Sequence, residues 1–420
     1  MTPSYVRAPS CANLFLPYRT ELRPIVPNAR DIAHQLAIAA RLGARGLRRR
    51  VSGATPAPAT DAEFRATLAP WVASLPSALV TDHAFYRLPA TRPPWFDTSI
   101  DLAPGEQVTL LADGRVHLSK ALDIWVGPAF QLWCRVGETG PVFRGTRATN
   151  TFTAPQGGRL WLASYFPGEW ADPSGRLGTP PGEYAGVSGG LSVLVLRWAP
   201  GADVPELFRG FARDNRVPGL VLAEAGRFDQ PVPAPEHWDY LWYLGPGEIF
   251  RSTLAPHGRP AIGCHTHGDV GILRRDARCT LGPGTRLHWS WRVDELPIDL
   301  AEDTLPSHDY LSIAVEFDDG QDLTYYWSAA LPAGTVYRCP LPTWRDKETH
   351  VVVRSGLREL GRWLDEERDL HADYRRILGG PAREVVRVWL IANSLFQRGH
   401  GRCEYASIRL ITNDGTLEVL

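Results

Sequence analysis

FDTSIDLAPGEQVTLLADGRVHL, residues 96–118, alternates apolar and polar positions around a Pro-Gly and an Asp-Gly pair. Side chains on a strand point to opposite faces in turn, so the segment predicts strand, turn, strand, turn, strand. The period of two persists from Pro94 to Trp198, which predicts a β-meander or sandwich. Beyond it, TRLHWSWRVDEL (285–296), DYLSIAVEFDDGQDLTYYWSAAL (309–331), ETHVVVRSG (348–356), EVVRVWLIANS (384–394) and CEYASIRLIT (403–412) are again strand-like. A helical stretch is expected from Glu359 to Leu378, with Arg362, Asp365, Glu366 and Arg368 as helical salt-bridge partners.

Outside the strands, Ile32, Leu36, Ala39, Ala40, Leu42 and Leu47 recur at helical spacing and end in Arg48, Arg49 and Arg50. Such a helix can pack on the following domain, or use its basic end to contact a partner or membrane surface. A Pro/Ala/Thr run, residues 51–61, and a short helix from Ala62 to Leu75 follow. Residues 201–235 hold one short helix, Pro205 to Asp214, and a Pro-rich run. The expected fold is therefore mainly β: two β-sandwich domains of jelly-roll or galactose-binding-like type behind a short helical N-terminal segment. Its divisions are a helical segment and linker at 1–75, a sandwich at 76–200, a linker at 201–235 and a second sandwich at 236–420.

A chain of 420 residues is too long for one ordinary core, which agrees with two domains. The 39 Gly and 36 Pro beside a single Met favour short strands joined by tight turns. Lys+Arg 45 against Asp+Glu 46 leaves no broad positive field, so a nucleic-acid partner is not expected. Cys11, Cys134, Cys264, Cys279, Cys339 and Cys403 form no C-x-x-C pair and read as reduced thiols. No apolar stretch approaches transmembrane length and no leader pattern opens the chain, so a cytoplasmic location is expected. P-loop, G-x-G-x-x-G, G-x-S-x-G and H-E-x-x-H patterns are absent, so no nucleotide cofactor is expected.

Three groups of residues can carry chemistry. His265 and His267 share a strand face beside Asp269, an arrangement suited to acid-base catalysis or to a divalent metal with a third ligand such as His288 or His308. The alternative is a pair of partly exposed strand histidines. Trp289, Trp291, Tyr325 and Trp327, with Arg292 on the opposite side, form either a ligand-binding aromatic face or a core. Asp309, Glu316, Asp318, Asp319 and Asp322 surround Gly320 as a carboxylate site or an ordinary hairpin tip.

The run Trp289-Ser290-Trp291-Arg292-Val293, then Asp309, Leu323, Tyr325 and Trp327, resembles a bacterial family, the domain of unknown function 3047. The order continues through Val352-Val353-Arg354, Trp363, Glu366, Arg368, Asp373-Tyr374 and Tyr405-Ala406-Ser407-Ile408. Where such sequences carry a D-x-D-N-T loop, this chain has Asn393-Ser394-Leu395-Phe396-Gln397. The resemblance implies a sandwich and supplies no mechanism. Trp95, Thr98, Ile100, Leu102 and Gly105 resemble the opening pattern of calcium-dependent galactose-binding bacterial lectins. The lectins' Asn-Asp calcium pair is replaced here by Ser192 and Val193, so the resemblance implies the framework without that calcium site. The functional expectation is recognition or processing of a carbohydrate or glycosylated small molecule. The competing expectations are a cofactor-independent lyase, hydratase or cyclase with its pocket between the β domains, and a non-enzymatic interaction protein.

Overall fold

In the computed structural model, residues 29–52, 57–92, 94–166, 170–214 and 216–420 are described. Cys11 and the leader reading of the N-terminus lie outside these residues. Among them, residues 40–231 form one compact unit, and 29–39 with 232–420 a second. Both are built mainly of antiparallel strands, as the alternation predicts.

The strands of the first unit are β1 (Val80–Pro89), β2 (Trp95–Leu102), β3 (Gln107–Ser119), β4 (Ile124–Val126), β5 (Leu132–Val136), β6 (Thr149–Thr153), β7 (Gly158–Ser164) and β8 (Ser188–Trp198). One sheet runs β1-β8-β3-β4 with β6 also on β3, and the other runs β2-β7-β5. Helices α2 (Asp61–Ser74), α3 (Pro128–Gln131), α4 (Val204–Phe211) and α5 (Gly219–Asp229), with α1 (Ala29–Ser52) from residue 40 onward, accompany them. Phe64, Leu68 and Trp71 of α2, Phe208 of α4 and Val221 of α5 pack on Leu194, Leu196 and Trp198 of β8. The segment 201–235, expected as a linker with one short helix, thus carries two, α4 and α5, whose buried side chains join this core. Among the described side chains of α1 the buried positions are Ile38, Leu42 and Gly46, each four apart, while Leu36 and Leu47 are exposed.

The opening segment departs from its reading in one place. A Pro104-Gly105 turn does separate β2 from β3, with Gly105 at φ +81. The Asp113-Gly114 pair, however, lies inside β3, which continues unbroken to Ser119. Gly114, at φ +130, lies against Gly190 of β8; a Cβ there would sit 2.3 Å from the Gly190 carbonyl oxygen. The glycine serves close backbone approach between strands, not a turn.

The second unit contains β9 (Asp239–Tyr240), β10 (Phe250–Ala255), β11 (Arg259–His267), β12 (Val270–Thr280), β13 (Arg286–Glu295), β14 (Tyr310–Phe317) and β15 (Asp322–Ser328). It continues with β16 (Val336–Arg338), β17 (Glu348–Ser355), β18 (Trp363–Asp369), α6 (Leu370–Ile377), β19 (Glu384–Asn393), β20 (His400–Thr412) and β21 (Gly415–Glu418). One sheet is ordered β10-β11-β20-β13-β18 with β21 on β20, the other β16-β17-β15-β14-β19-β12-β9. Their inner faces close one core, and β15 and β17 pair in parallel.

The helix expected at 359–378 is a strand, β18, followed by the short α6. Asp365 and Glu366 pair with residues of other strands, whereas Arg362 pairs with Glu359 at 4.0 Å and Arg368 with Asp373 along the chain. Glu366 accepts from Arg354 at 2.6 Å and from the Trp291 indole at 3.1 Å, and Asp365 accepts from Ser290. Arg368 reaches Asp373 at 2.7 Å. Among the described residues no helix is long and apolar enough to cross a membrane.

Candidate functional site

His265 and His267 lie on β11, facing β20. His267 is directly opposite His400, and the rings stack 3.8 Å apart; His265 stacks on the same ring at 5.8 Å. The third imidazole is therefore His400. His288 instead meets the Ser407 carbonyl on β20, and His308 belongs to another cluster. The Asp269 carboxylate accepts from the Thr266 hydroxyl and from the His267 backbone N–H at 2.8 Å, closing the turn between β11 and β12. Burial comes first in depressing both histidine pKa values, followed by Arg402 and His400 at His265 and by His400 at His267, so the neutral rings are favoured.

Trp289 and Trp291 of β13 and Tyr325 and Trp327 of β15 do share a face, and it is the interior one. Each is at most 1% exposed. Trp289 stacks on Tyr325 at 5.9 Å, and Trp291 meets Trp327 at 5.8 Å, joining the two sheets across the core. Rings without exposed surface cannot stack on a ligand, so the ligand-binding reading of this set is corrected to core packing. Arg292 points outward to Asp294 at 3.1 Å and Glu404 at 3.2 Å.

The acidic residues around Gly320 are tied into the fold. Asp309 accepts from the Phe396 and Gln397 backbone N–H groups at 3.0 and 2.6 Å, anchoring the loop after β19. Glu316 receives Arg387 at 2.9 Å, Asp318 receives the Arg383 N–H at 2.9 Å, and Asp319 receives the Tyr374 hydroxyl at 2.6 Å. Asp322 differs: it is buried, and burial together with neighbouring Glu348 raises its pKa well above the carboxylate range.

Glu348 leads to a cluster that the sequence reading did not assemble. His308, Cys339, Glu348 and His350 are all buried, with one donor atom from each lying within 4.8 Å of the others. Glu348 and His350 are two apart on β17, so the pleat places both on one face. Cys339 follows β16 and is held by its backbone N–H to the Glu348 carbonyl at 3.0 Å. His308 precedes β14; its carbonyl accepts from Asn393 at 2.7 Å, and its Nδ1 meets the Glu302 carbonyl at 2.7 Å. That bond assigns the ring proton to Nδ1 and leaves the Nε2 lone pair facing Cys339 Sγ, 3.4 Å away. Burial, then the His350 charge, pushes His308 down to about 3, so the ring is neutral. Burial raises the Cys339 thiol, while at Glu348 burial is outweighed by the adjacent His350, which brings the carboxyl down to about 2. The available signal was the Glu-x-His alternation within ETHVVVRSG.

In the first unit, the outward face of the β2-β7-β5 sheet carries Trp161 of β7 between Asp97 of β2 and Arg135 of β5. The Arg135 guanidinium lies over Trp95 at 4.3 Å and over Trp161 at 5.4 Å. Arg159, two residues from Trp161, holds Asp101 at 2.8 Å and Asp97 at 3.2 Å. Both indoles are half-buried. Ser192 of β8 donates to Asp61 at 2.9 Å and accepts from Arg87 at 3.2 Å.

No curated protein matches this chain. The N-terminal domain of EclA, a PllA-like lectin, is 20% identical, covering 29% of this chain and 99% of that one with a TM-score of 0.22. The xyloglucanase domain of NopAA, a type three effector from Sinorhizobium fredii in complex with cellobiose, is 12% identical over 44% of this chain and 96% of that one, with a TM-score of 0.27. Residues 250–409, within the second unit, match the model of a family described as protein of unknown function (DUF3047), the family that the ordered motifs of the C-terminal half resemble.

Proposed function

We propose that the protein recognises a carbohydrate or glycosylated small molecule, and that the outward face of the β2-β7-β5 sheet is the binding surface. The supporting observation is the juxtaposition of half-buried Trp95 and Trp161 around Arg135, beside the Arg159–Asp97–Asp101 ion pairs. A sugar ring has an apolar C–H face that stacks on an indole, and a rim of hydroxyls that bonds with carboxylates and guanidinium groups. The four core aromatics of the second unit cannot serve this way, because they have no accessible surface.

Calorimetric titration of the full chain with a panel of mono- and oligosaccharides tests the reading, with Trp161→Ala as the comparison. Losing a stacked ring is expected to weaken binding at least about tenfold, or ~1.4 kcal/mol. A wild type that binds no saccharide, or a Trp161→Ala protein that binds as tightly as wild type, overturns it.

A further inference from the structure

We propose that His308, Cys339, Glu348 and His350 form a closed, tetrahedral zinc(II) site inside the second unit, independent of the carbohydrate face. The donors number four, and all are types that zinc accepts: two imidazole nitrogens, a sulfur and a carboxylate oxygen. Bonds of about 2.0–2.3 Å to a tetrahedral ion place its ligand atoms about 3.3–3.8 Å from one another. Two edges of this cluster already have that length: His308 Nε2 to Cys339 Sγ at 3.4 Å, and His350 Nε2 to Glu348 Oε1 at 3.5 Å.

Hydrogen bonding alone leaves the cluster incomplete. His350 has no exposed surface, yet neither of its ring nitrogens has a hydrogen-bond partner. A buried polar atom in that state is costly, and native interiors seldom tolerate it. Coordination through one nitrogen removes that cost at the atom closest to Glu348. The surroundings are those of a ligand set as well. His308 is oriented through Nδ1 by the Glu302 carbonyl, and the Glu348 carboxylate receives the Tyr310 and Thr324 hydroxyls at 3.0 and 3.2 Å. Such outer contacts fix the tautomer and direction of coordinating groups. Tyr337 stacks flat on His350 at 5.0 Å and holds the ring in place.

Charge also balances. Zinc(II) is neutralised by the Glu348 carboxylate and the Cys339 thiolate, with the thiol proton released to solvent on binding. A neutral assembly suits a site whose four residues are at most 3% exposed. With four protein donors and no access for water, the ion has a structural role: it ties the loops bearing His308 and Cys339 to β17.

The test is elemental analysis of the full chain purified with zinc present, beside Cys339→Ser and the double variant His308→Gln/His350→Gln, with thermal melting as the control for folding. About one zinc per wild-type chain is expected, with retention at least about tenfold lower in the double variant. Wild-type protein that takes up no zinc after chelation and re-addition overturns the proposal, as does a folded double variant with wild-type zinc content. Cobalt(II) substitution of the wild type decides even where the variants fail to fold. A thiolate-to-cobalt charge-transfer band with the intense visible bands of four-coordinate cobalt supports the site, and a spectrum without the thiolate band overturns it.

Discussion

Glu224 on α5 has no exposed side-chain surface, yet its carboxylate is fully engaged: Thr149 and Thr151 donate to it at 2.6 and 2.5 Å, and Arg227 at 2.5 and 2.8 Å. Burial opposes ionisation here, but Arg227 and the two hydroxyls outweigh it and hold the pKa below the usual carboxylate range. The folded-state value is thus lower than the unfolded one of about 4.3, so this group stabilises the fold above that pH and loses its contribution as pH falls through the folded value. Glu224→Gln is expected to cost about 3 kcal/mol at neutral pH, because it leaves Arg227 without its charge partner. Urea denaturation of both proteins at pH 7 and at about pH 3.5 checks this. The difference should shrink in acid, and an equal difference at both pH values would contradict the assignment. The same balance between burial and partners was hidden at the aromatic residues. Alternation placed Trp289 with Trp291 on one side of β13, and Tyr325 with Trp327 on one side of β15, and both sides meet in the same core. Every residue of β15 is buried, Asp322, Thr324 and Ser328 included, so its polar side did not mark an exterior.

At the scale of elements, β3 and β18 show where local pattern and long-range pairing diverge. Asp-Gly between alternating runs is a strong hairpin signal, but β3 crosses it because β8 supplies a ladder along the whole length from Val108 to His117. The glycine remains necessary for the close approach of Gly190. Gly114→Ala places a Cβ into backbone at a positive φ and should destabilise the first unit by about 2–3 kcal/mol. A melting temperature lowered by several degrees supports this, whereas an unchanged one would show that β3 and β8 separate locally at little cost. In β18, WLDEERD carries acids and bases at spacings that also suit a helix, and only pairing with β13 across the sheet makes it a strand. Strands whose pattern agreed with their pairing, β13, β14, β15, β17, β19 and β20, were legible from sequence alone.

For the whole molecule, the two-sandwich plan was readable because each unit repeats the same period many times. The buried cluster was not, because its members come from segments around positions 308, 339 and 348–350 that meet only through the order of the seven-stranded sheet. Only Glu348 and His350 are local to each other. The two units draw their main cores from separate residues, 64–225 in one and 238–419 in the other. A structural ion in the second core should therefore act on that unit. Anything that binds the folded state and not the unfolded one stabilises it by mass action, and removing a structural zinc withdraws that contribution. Hydrogen exchange before and after chelation is expected to show lost amide protection in β14, β15, β16 and β17, next to the four ligands, with β1, β3 and β8 unchanged. Uniform loss across both units would instead show that chelation acts on the molecule as a whole and that the cluster does not localise the metal's effect.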